Sequence, residues 1–261
     1  MRRVCLYAGY DPNNKIQDYV VYMLKKLSMI SDVYYMGNGN IPPDELFKLA
    51  PFTKMFYTSL HHQRDFGSWQ RLISQIGWGK LSLYDELILC NDSVYGPLRN
   101  LEDIFMEMES RGYDFWSITA DYAYNFHLHS YFMVFNNNVI KDKQFQYFWN
   151  CVPHNSEIQN CSIVLTPLLF ERGFIGNSYI RSYRSENIME QPQKMLDDFN
   201  LPFVKTKSFL PNNKYSSGSG FALRYNIRTK SDYDTKMINR HIKTNHLPQN
   251  LKQKLATLSG L

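Results

Sequence analysis

Apolar and polar residues follow two different periods along the first third of the chain. Val4–Tyr7 is a short apolar run that stops at Ala8-Gly9-Tyr10-Asp11-Pro12, which reads as a strand entering a turn. Ile16, Tyr19, Val20, Met23, Leu24 and Leu27 then recur three and four apart and predict a helix over residues 15–29. Val33–Met36 predicts a second strand. Pro42–Leu49 predicts a short helix with proline and acids in its first turn, and Lys54–Thr58 a third strand. This succession predicts a Rossmann-like α/β fold, a mostly parallel sheet flanked by helices.

The stretch from Leu87 to Pro97 is the centre of the pattern. Leu87–Cys90 has the length of a buried strand, stops at Asn91-Asp92-Ser93, and is punctuated by Gly96-Pro97. Leu101, Ile104, Phe105 and Met108 follow at helical spacing. A carboxylate therefore ends a core strand just before a crossover helix, where open α/β sheets bind ligands. One carboxylate beside an amide and a hydroxyl suits a divalent cation, Mn²⁺ or Mg²⁺, that shares its oxygen ligands with a phosphate. The same residues also suit a turn or helix cap, which Asp92 taken alone favours.

Upstream, Arg64-Asp65-Phe66-Gly67 contains an Asp-Phe-Gly triplet without the glycine-rich, Val-Ala-Ile-Lys and His-Arg-Asp segments of a kinase. Arg64 and Asp65 precede a predicted helix from Ser68 to Ile76. Arg64 there can meet phosphate oxygens and Asp65 a ribose or base hydrogen; a capping aspartate and a solvated arginine are the plainer alternative. His61-His62 reads as an exposed pair. Downstream, Asp114–Thr119 predicts a strand, Ala120–Phe126 a polar aromatic loop, and His127–Phe135 a returning strand. His127 and His129, two apart, share a face, which fits a metal, a phosphate or plain solvent. Further helices are predicted over 158–170 and 192–199, and a flexible loop over 212–220.

Composition narrows the class. The 261 residues hold 44% hydrophobic and 20% charged side chains, as in a globular protein. Aromatics reach 15%, with 19 Tyr and 17 Phe, which buried cores and sugar clefts both use. Four cysteines without a CxxC pair argue against a zinc knuckle or a disulfide framework. No apolar run has the length of a signal peptide or a membrane span, and the expectation is a cytoplasmic protein. The net charge of +5 resides in the tail: from Asn226 onward there are seven Lys/Arg and two acids. Residues 1–225 are read as one domain and 226–261 as a basic helical extension. Ser231 and Asp234 are spaced like a capping box for a helix reaching Thr244. Leu247, Leu251, Leu255 and Leu258 line one side of a second helix, which suits either packing on the domain or peripheral contact with an anionic membrane. No recognised nucleic-acid motif accompanies the charge, so nucleic acid is not an expected partner.

The motifs together resemble a known family. Cys5-Leu6-Tyr7-Ala8 with Asp11-Pro12, Asp18-Tyr19-Val20, Arg64–Trp69, Tyr84-Asp85-Glu86-Leu87, Asn91–Pro97, Asp114-Phe115-Trp116, His127–Phe132 and Pro202-Phe203-Val204-Lys205 occur in the order seen in the rhamnan synthesis protein F family of polysaccharide-building glycosyltransferases. The resemblance covers residues 4–210. It implies a GT-A-like fold, a nucleotide-sugar donor with dTDP-rhamnose as one candidate, and Asn91-Asp92-Ser93 in place of an Asp-x-Asp metal motif. Two departures stand out: His129 where the family pattern has Gln, and Cys161 where it has an acid.

These readings converge on a cytoplasmic protein that transfers a sugar from a nucleoside diphosphate to a growing cell-surface or lipid-linked glycan; packing of the tail on the domain is the plainer expectation, and peripheral contact with the inner face of the plasma membrane the alternative. Asp92 is the expected metal ligand. Ala8, Tyr10, Asp11, Arg64, Asp65, Asn91 and Ser93 are the expected nucleotide-binding residues. Asp121 is the expected base, from its loop near the cleft, and His127 the expected contact to diphosphate or acceptor. The rival is a non-catalytic subunit that holds a nucleotide or glycan, favoured by the missing acids at 91, 93 and 161.

Overall fold

A computed structural model describes residues 1–122, 126–152, 161–181, 191–209 and 220–246. Strand β1 (Arg3–Gly9) lies at the centre of the parallel part of the sheet, between β2 (Asp32–Gly37) and β4 (Glu86–Asn91). Strand β3 (Met55–Thr58) closes one edge, parallel to β2. On the other side β9 (Phe132–Asn136) runs antiparallel to both β4 and β6 (Phe115–Ser117), and β10 (Gly176–Ser178) pairs parallel with β6. The order is β10-β6-β9-β4-β1-β2-β3, a mostly parallel seven-stranded sheet of the predicted class.

The alternation of side chains along β1 divides the core in two. Cys5 and Tyr7 join the face covered by helix α1 (Asp18–Ser28), whose Tyr19, Val20, Met23, Leu24 and Leu27 are buried. Val4, Leu6 and Ala8 join the opposite face, covered by α3 (Arg64–Ile76) through Phe66, Trp69, Leu72 and Ile73. Both faces are apolar because helices cover both, as parallel strands require. Helix α5 (Leu101–Arg111) is capped by Asn100, whose side chain accepts from Glu102 N–H, and ends at Gly112 in the left-handed conformation.

Several boundaries differ from the sequence reading. Helix α3 begins at Arg64, four residues before Ser68, because Gly67 has no Cβ to meet the Gln63 side chain and its N–H reaches Gln63 O at 2.9 Å. The strand expected over His127–Phe135 is two strands. His127–Leu128 (β8) pairs with Ala120–Asp121 (β7) in a separate hairpin, and the chain re-enters the main sheet only at Phe132. The expected loop at 120–126 is thus in part a strand of that hairpin. Helix α8 (Cys161–Glu171) packs against β8, and Leu128 N–H donates to Thr166 Oγ1 at 3.1 Å.

A second small sheet pairs β5 (Val94–Tyr95) with β11 (Val204–Lys205) and sets Lys205 opposite Val94. Two helices follow, α10 (Gly220–Lys230) and α11 (Lys236–His246). Helix α10 crosses residue 226 without a break, and Ile227, Tyr233, Met237 and Ile238 are buried in the same core as α1. The capping box expected from Ser231 is not formed. Ser231 Oγ bonds back to Ile227 O, and Asp234 receives Lys236 N–H at 2.9 Å, so the helix starts later. The leucine-lined segment after His246 lies outside the described residues. No helix among the described residues is long and apolar enough to cross a membrane.

Candidate active site

A cleft of about 640 Å³ opens at the C-terminal ends of β1 and β4, against the first turn of α3. Ala8, Tyr10, Arg64, Asp65, Asn91, Asp92 and Ser93 all line it, which brings together seven of the sequence-derived candidates. Asp11 does not line it. Its carboxylate is taken up by Asn13 N–H, Gln17 Nε2 and Asn245 Nδ2, each at 2.8 Å, and it braces the loop after β1.

The end of β4 is held by its own side chains. Asn91 Oδ1 accepts from Ser93 N–H at 3.1 Å and Ser93 Oγ at 2.6 Å, while Asn91 Nδ2 donates to Asp65 Oδ2 at 2.7 Å. Trp69, buried on α3, donates Nε1–H to Cys90 O at 3.1 Å and fixes the helix against the strand end. Asp92 accepts the Tyr10 N–H through one carboxylate oxygen. Burial pushes its carboxyl up to about 7 against the pull of that N–H, and the nearby Asp65 and Asp11 charges add to the rise. Burial likewise raises the Asp65 carboxyl, opposed by its bond from Asn91. Arg64, exposed at the cleft wall, has a φ of 48°, a strained value for a non-glycine residue.

Lys205 completes this group. Its Nζ lies 3.0 Å from Ser93 Oγ and 4.5 Å from the centre of the Tyr131 ring. Burial lowers its ammonium to about 8; the Asp65 and Asp92 charges act in the opposite direction. In the sequence Lys205 stands out only as the end of the Pro202-Phe203-Val204-Lys205 motif, with no role attached to it. Its position at the end of a short apolar run, Leu201–Val204, was the available signal. His61 is not the exposed residue expected. It is 7% exposed, its Nε2 lies 3.0 Å from Ser68 Oγ, and burial, with Arg71 and His62 nearby, drives its imidazole down to about 4.

Asp121 and His127 do not line this cleft; they lie on the β7–β8 hairpin, facing each other across the ladder. His129 joins them, with Nε2 at 3.9 Å from Asp121 Oδ2. Cys161 opens α8, and burial moves its thiol up to about 11, with the Asp65 charge adding to the rise. The donor set around Asp92 is narrow for a divalent cation: its carboxylate already holds an N–H, the nearby Asp65 carboxylate accepts from Asn91, and the Lys205 ammonium sits on the adjacent Ser93. Among the described residues, Asp121, His127 and His129 form the set of three with ligand atoms mutually within 4.8 Å.

The architecture is that of the GT-A glycosyltransferases. It is similar to the glycosyltransferase GlyE of Streptococcus pneumoniae TIGR4, with a TM-score of 0.51 and 14% identity over 93% of this chain and 64% of that one. The apo form of GlyE gives a TM-score of 0.50 at 12% identity, covering 95% of this chain and 65% of that one. Residues 33–258 match the family described as Rhamnan synthesis protein F, and the chain belongs to that family. The match extends past the motif series at its C-terminal end and starts later at its N-terminal end. A curated relative, "Uncharacterized protein y4gN" of Sinorhizobium fredii (strain NBRC 101917 / NGR234), is 25% identical over 190 residues, 69% of this chain. The chain spans about half, 48%, of that relative's length.

Proposed function

We propose that the chain transfers a sugar from a nucleoside-diphosphate donor to a glycan acceptor, and that the cleft between β1, β4 and α3 holds the donor. The observation that carries this reading is the contact of Lys205 Nζ with Ser93 Oγ at 3.0 Å, within a cleft that also presents the Asp65 and Asp92 carboxylates. An ammonium held over the end of β4 is a ready partner for diphosphate oxygens, and Arg64 and Lys207, which also line the cleft, add positive charge. The carboxylates accept hydrogens from ribose, base or sugar hydroxyls. As the bond from the anomeric carbon to the diphosphate oxygen breaks, its electron pair stays on that oxygen, the acceptor hydroxyl oxygen bonds to the anomeric carbon, and the hydroxyl proton passes to the leaving diphosphate or to solvent. Lys205 is preorganised to meet that developing charge.

Membership of the rhamnan synthesis protein F family makes dTDP-rhamnose the first donor to test. A lipid-linked or cell-surface polysaccharide intermediate at the inner membrane face is the acceptor this reading takes. The test is a panel of nucleoside diphosphates and nucleotide sugars scored by thermal stabilisation, since a ligand bound to the native state raises its melting point. One nucleotide should stand out, and its stabilisation at a fixed concentration should fall sharply in Lys205→Met. No stabilisation by any nucleotide would reject the donor assignment. Release of the free nucleotide on adding a glycan acceptor then separates a transferase from a binding subunit.

A further inference from the structure

We infer that Asp121, His127 and His129 form a binding site for a borderline divalent transition-metal ion, built on the β7–β8 hairpin beside the donor cleft, whose lining includes the neighbouring Ser130 but none of these three residues. The hairpin register dictates the grouping. Asp121 pairs with His127 and Ala120 with Leu128, and the His129 N–H continues the ladder to Thr119 O at 3.0 Å. Thr119 therefore stands opposite His129, and Thr119, Asp121, His127 and His129 project from one face of the ribbon.

The ligand atoms are close enough for one ion. All three lie within 4.8 Å of one another, and His129 Nε2 is 3.9 Å from Asp121 Oδ2. Metal bonds of roughly 2.0–2.2 Å to nitrogen and oxygen place neighbouring ligands about 3–4 Å apart, so small side-chain rotations suffice. The set has its outer support as well. Thr119 Oγ1 lies 2.8 Å from His129 Nδ1 and 2.8 Å from Tyr131 OH, a chain that fixes the imidazole plane and directs Nε2 toward Asp121. Two imidazoles and one carboxylate select Zn²⁺, Co²⁺, Fe²⁺ or Mn²⁺ over Mg²⁺ or Ca²⁺, which prefer all-oxygen sites. The Asp121 and His129 side chains are 16% and 17% exposed, so an ion can enter and can keep a water or substrate oxygen in an open position. Asp121 then acts as a ligand, in place of the base expected from its position in the sequence.

The site is read without nucleotide, so its failure and that of the donor cleft are distinguishable. The full chain, stripped with chelator, is titrated with Co²⁺ and followed by visible absorption, then with Zn²⁺ by calorimetry. A single equivalent should bind. Asp121→Asn and His129→Gln should abolish the Co²⁺ spectrum, Thr119→Val should weaken binding by about 10-fold, and Asp92→Asn should leave it unchanged. On the wild-type chain, Zn²⁺ should shift the imidazole nitrogen resonances of two histidines, assigned as His127 and His129. Absence of Co²⁺ and Zn²⁺ binding would overturn the proposal. So would its retention in correctly folded Asp121→Asn and His129→Gln, its loss in Asp92→Asn, or shifts confined to His61, His62 or His241.

Discussion

Asn91 and Asp65 are joined by a hydrogen bond of 2.7 Å that ties the end of β4 to the first turn of α3. The amide cannot hold Ser93 and Asp65 at once in any other orientation, because its oxygen takes both Ser93 donors and its nitrogen faces the carboxylate. The floor of the cleft is therefore one connected polar unit.

Asp65→Ala breaks that unit. It removes a hydrogen acceptor from the cleft and leaves Asn91 Nδ2 without its partner, a loss of roughly 1–3 kcal/mol. Nucleotide affinity should fall by more than the stability change accounts for. Paired calorimetric and denaturation measurements on the variant check this; equal losses in both would reduce Asp65 to a structural brace.

Lys205→Met should weaken nucleoside-diphosphate binding by roughly one to two powers of ten, the worth of a charge-assisted hydrogen bond. Affinity in the wild type should also decline as pH rises through about 8, where the ammonium loses its proton. Lys205→Arg should retain binding above that pH. Isothermal titration between pH 6 and 9.5 resolves all three expectations.

Asp92 carries a pH signature of its own. Its carboxyl is raised in the folded state to about 7, so the native protein binds more protons than the unfolded chain between the ordinary carboxylate range and that value. Its contribution to stability is present below that window and is lost as pH rises through about 7. Asp92→Asn, which keeps an oxygen for the Tyr10 N–H, should raise the melting point at pH 8 by several degrees and change it little at pH 4. One kcal/mol corresponds to roughly 2–4 °C for a chain of this size. A melting point unchanged at pH 8 would mean that the carboxylate is well solvated.

Gly96 tests how Lys205 is delivered. Its φ is +145°, and an added Cβ would lie 2.7 Å from Pro202 O and 2.5 Å from Phe203 Cδ1, at the entry to β11. Gly96→Ala should destabilise the fold by roughly 2–4 kcal/mol through strain and overpacking. It should also weaken nucleotide binding by displacing the strand that bears Lys205. Urea denaturation and nucleotide titration of the same variant provide the check.

Much of the sheet was legible because its strands are continuous apolar runs and α1, α3 and α5 repeat every three to four residues. The β7–β8 hairpin was not, because two-residue strands carry too little pattern to read through the polar loop of Ala120–Phe126. Helix α10 was hidden because Phe221, Leu223, Tyr225 and Ile227 alternate two apart, although only Leu223 and Ile227 are buried. In the cleft, Asp65, Asn91 and Asp92 were legible from punctuation at strand and helix ends. Lys205 was missed because it meets Ser93 across 112 residues, a distance at which local pattern says nothing about proximity. Asp11 had the right neighbourhood but is engaged by Asn245, which sits 234 residues away.

That last contact bears on the order in which the molecule is completed. Asn245 on α11 bonds to Asp11, Arg240 pairs with Asp18 at 2.6 Å, and His241 Nδ1 meets Tyr95 OH at 2.7 Å inside the core. The last described helix thus closes over the first one. Strand β1 and helix α1 precede α11 by more than two hundred residues, so Tyr19 and Tyr95 lack the cover of His241 until α11 is made. Closure of so long a loop is slow relative to local helix formation. The nascent chain therefore exposes an aromatic seam until α11 emerges, and exposed aromatic surface of that kind invites association before the fold is complete.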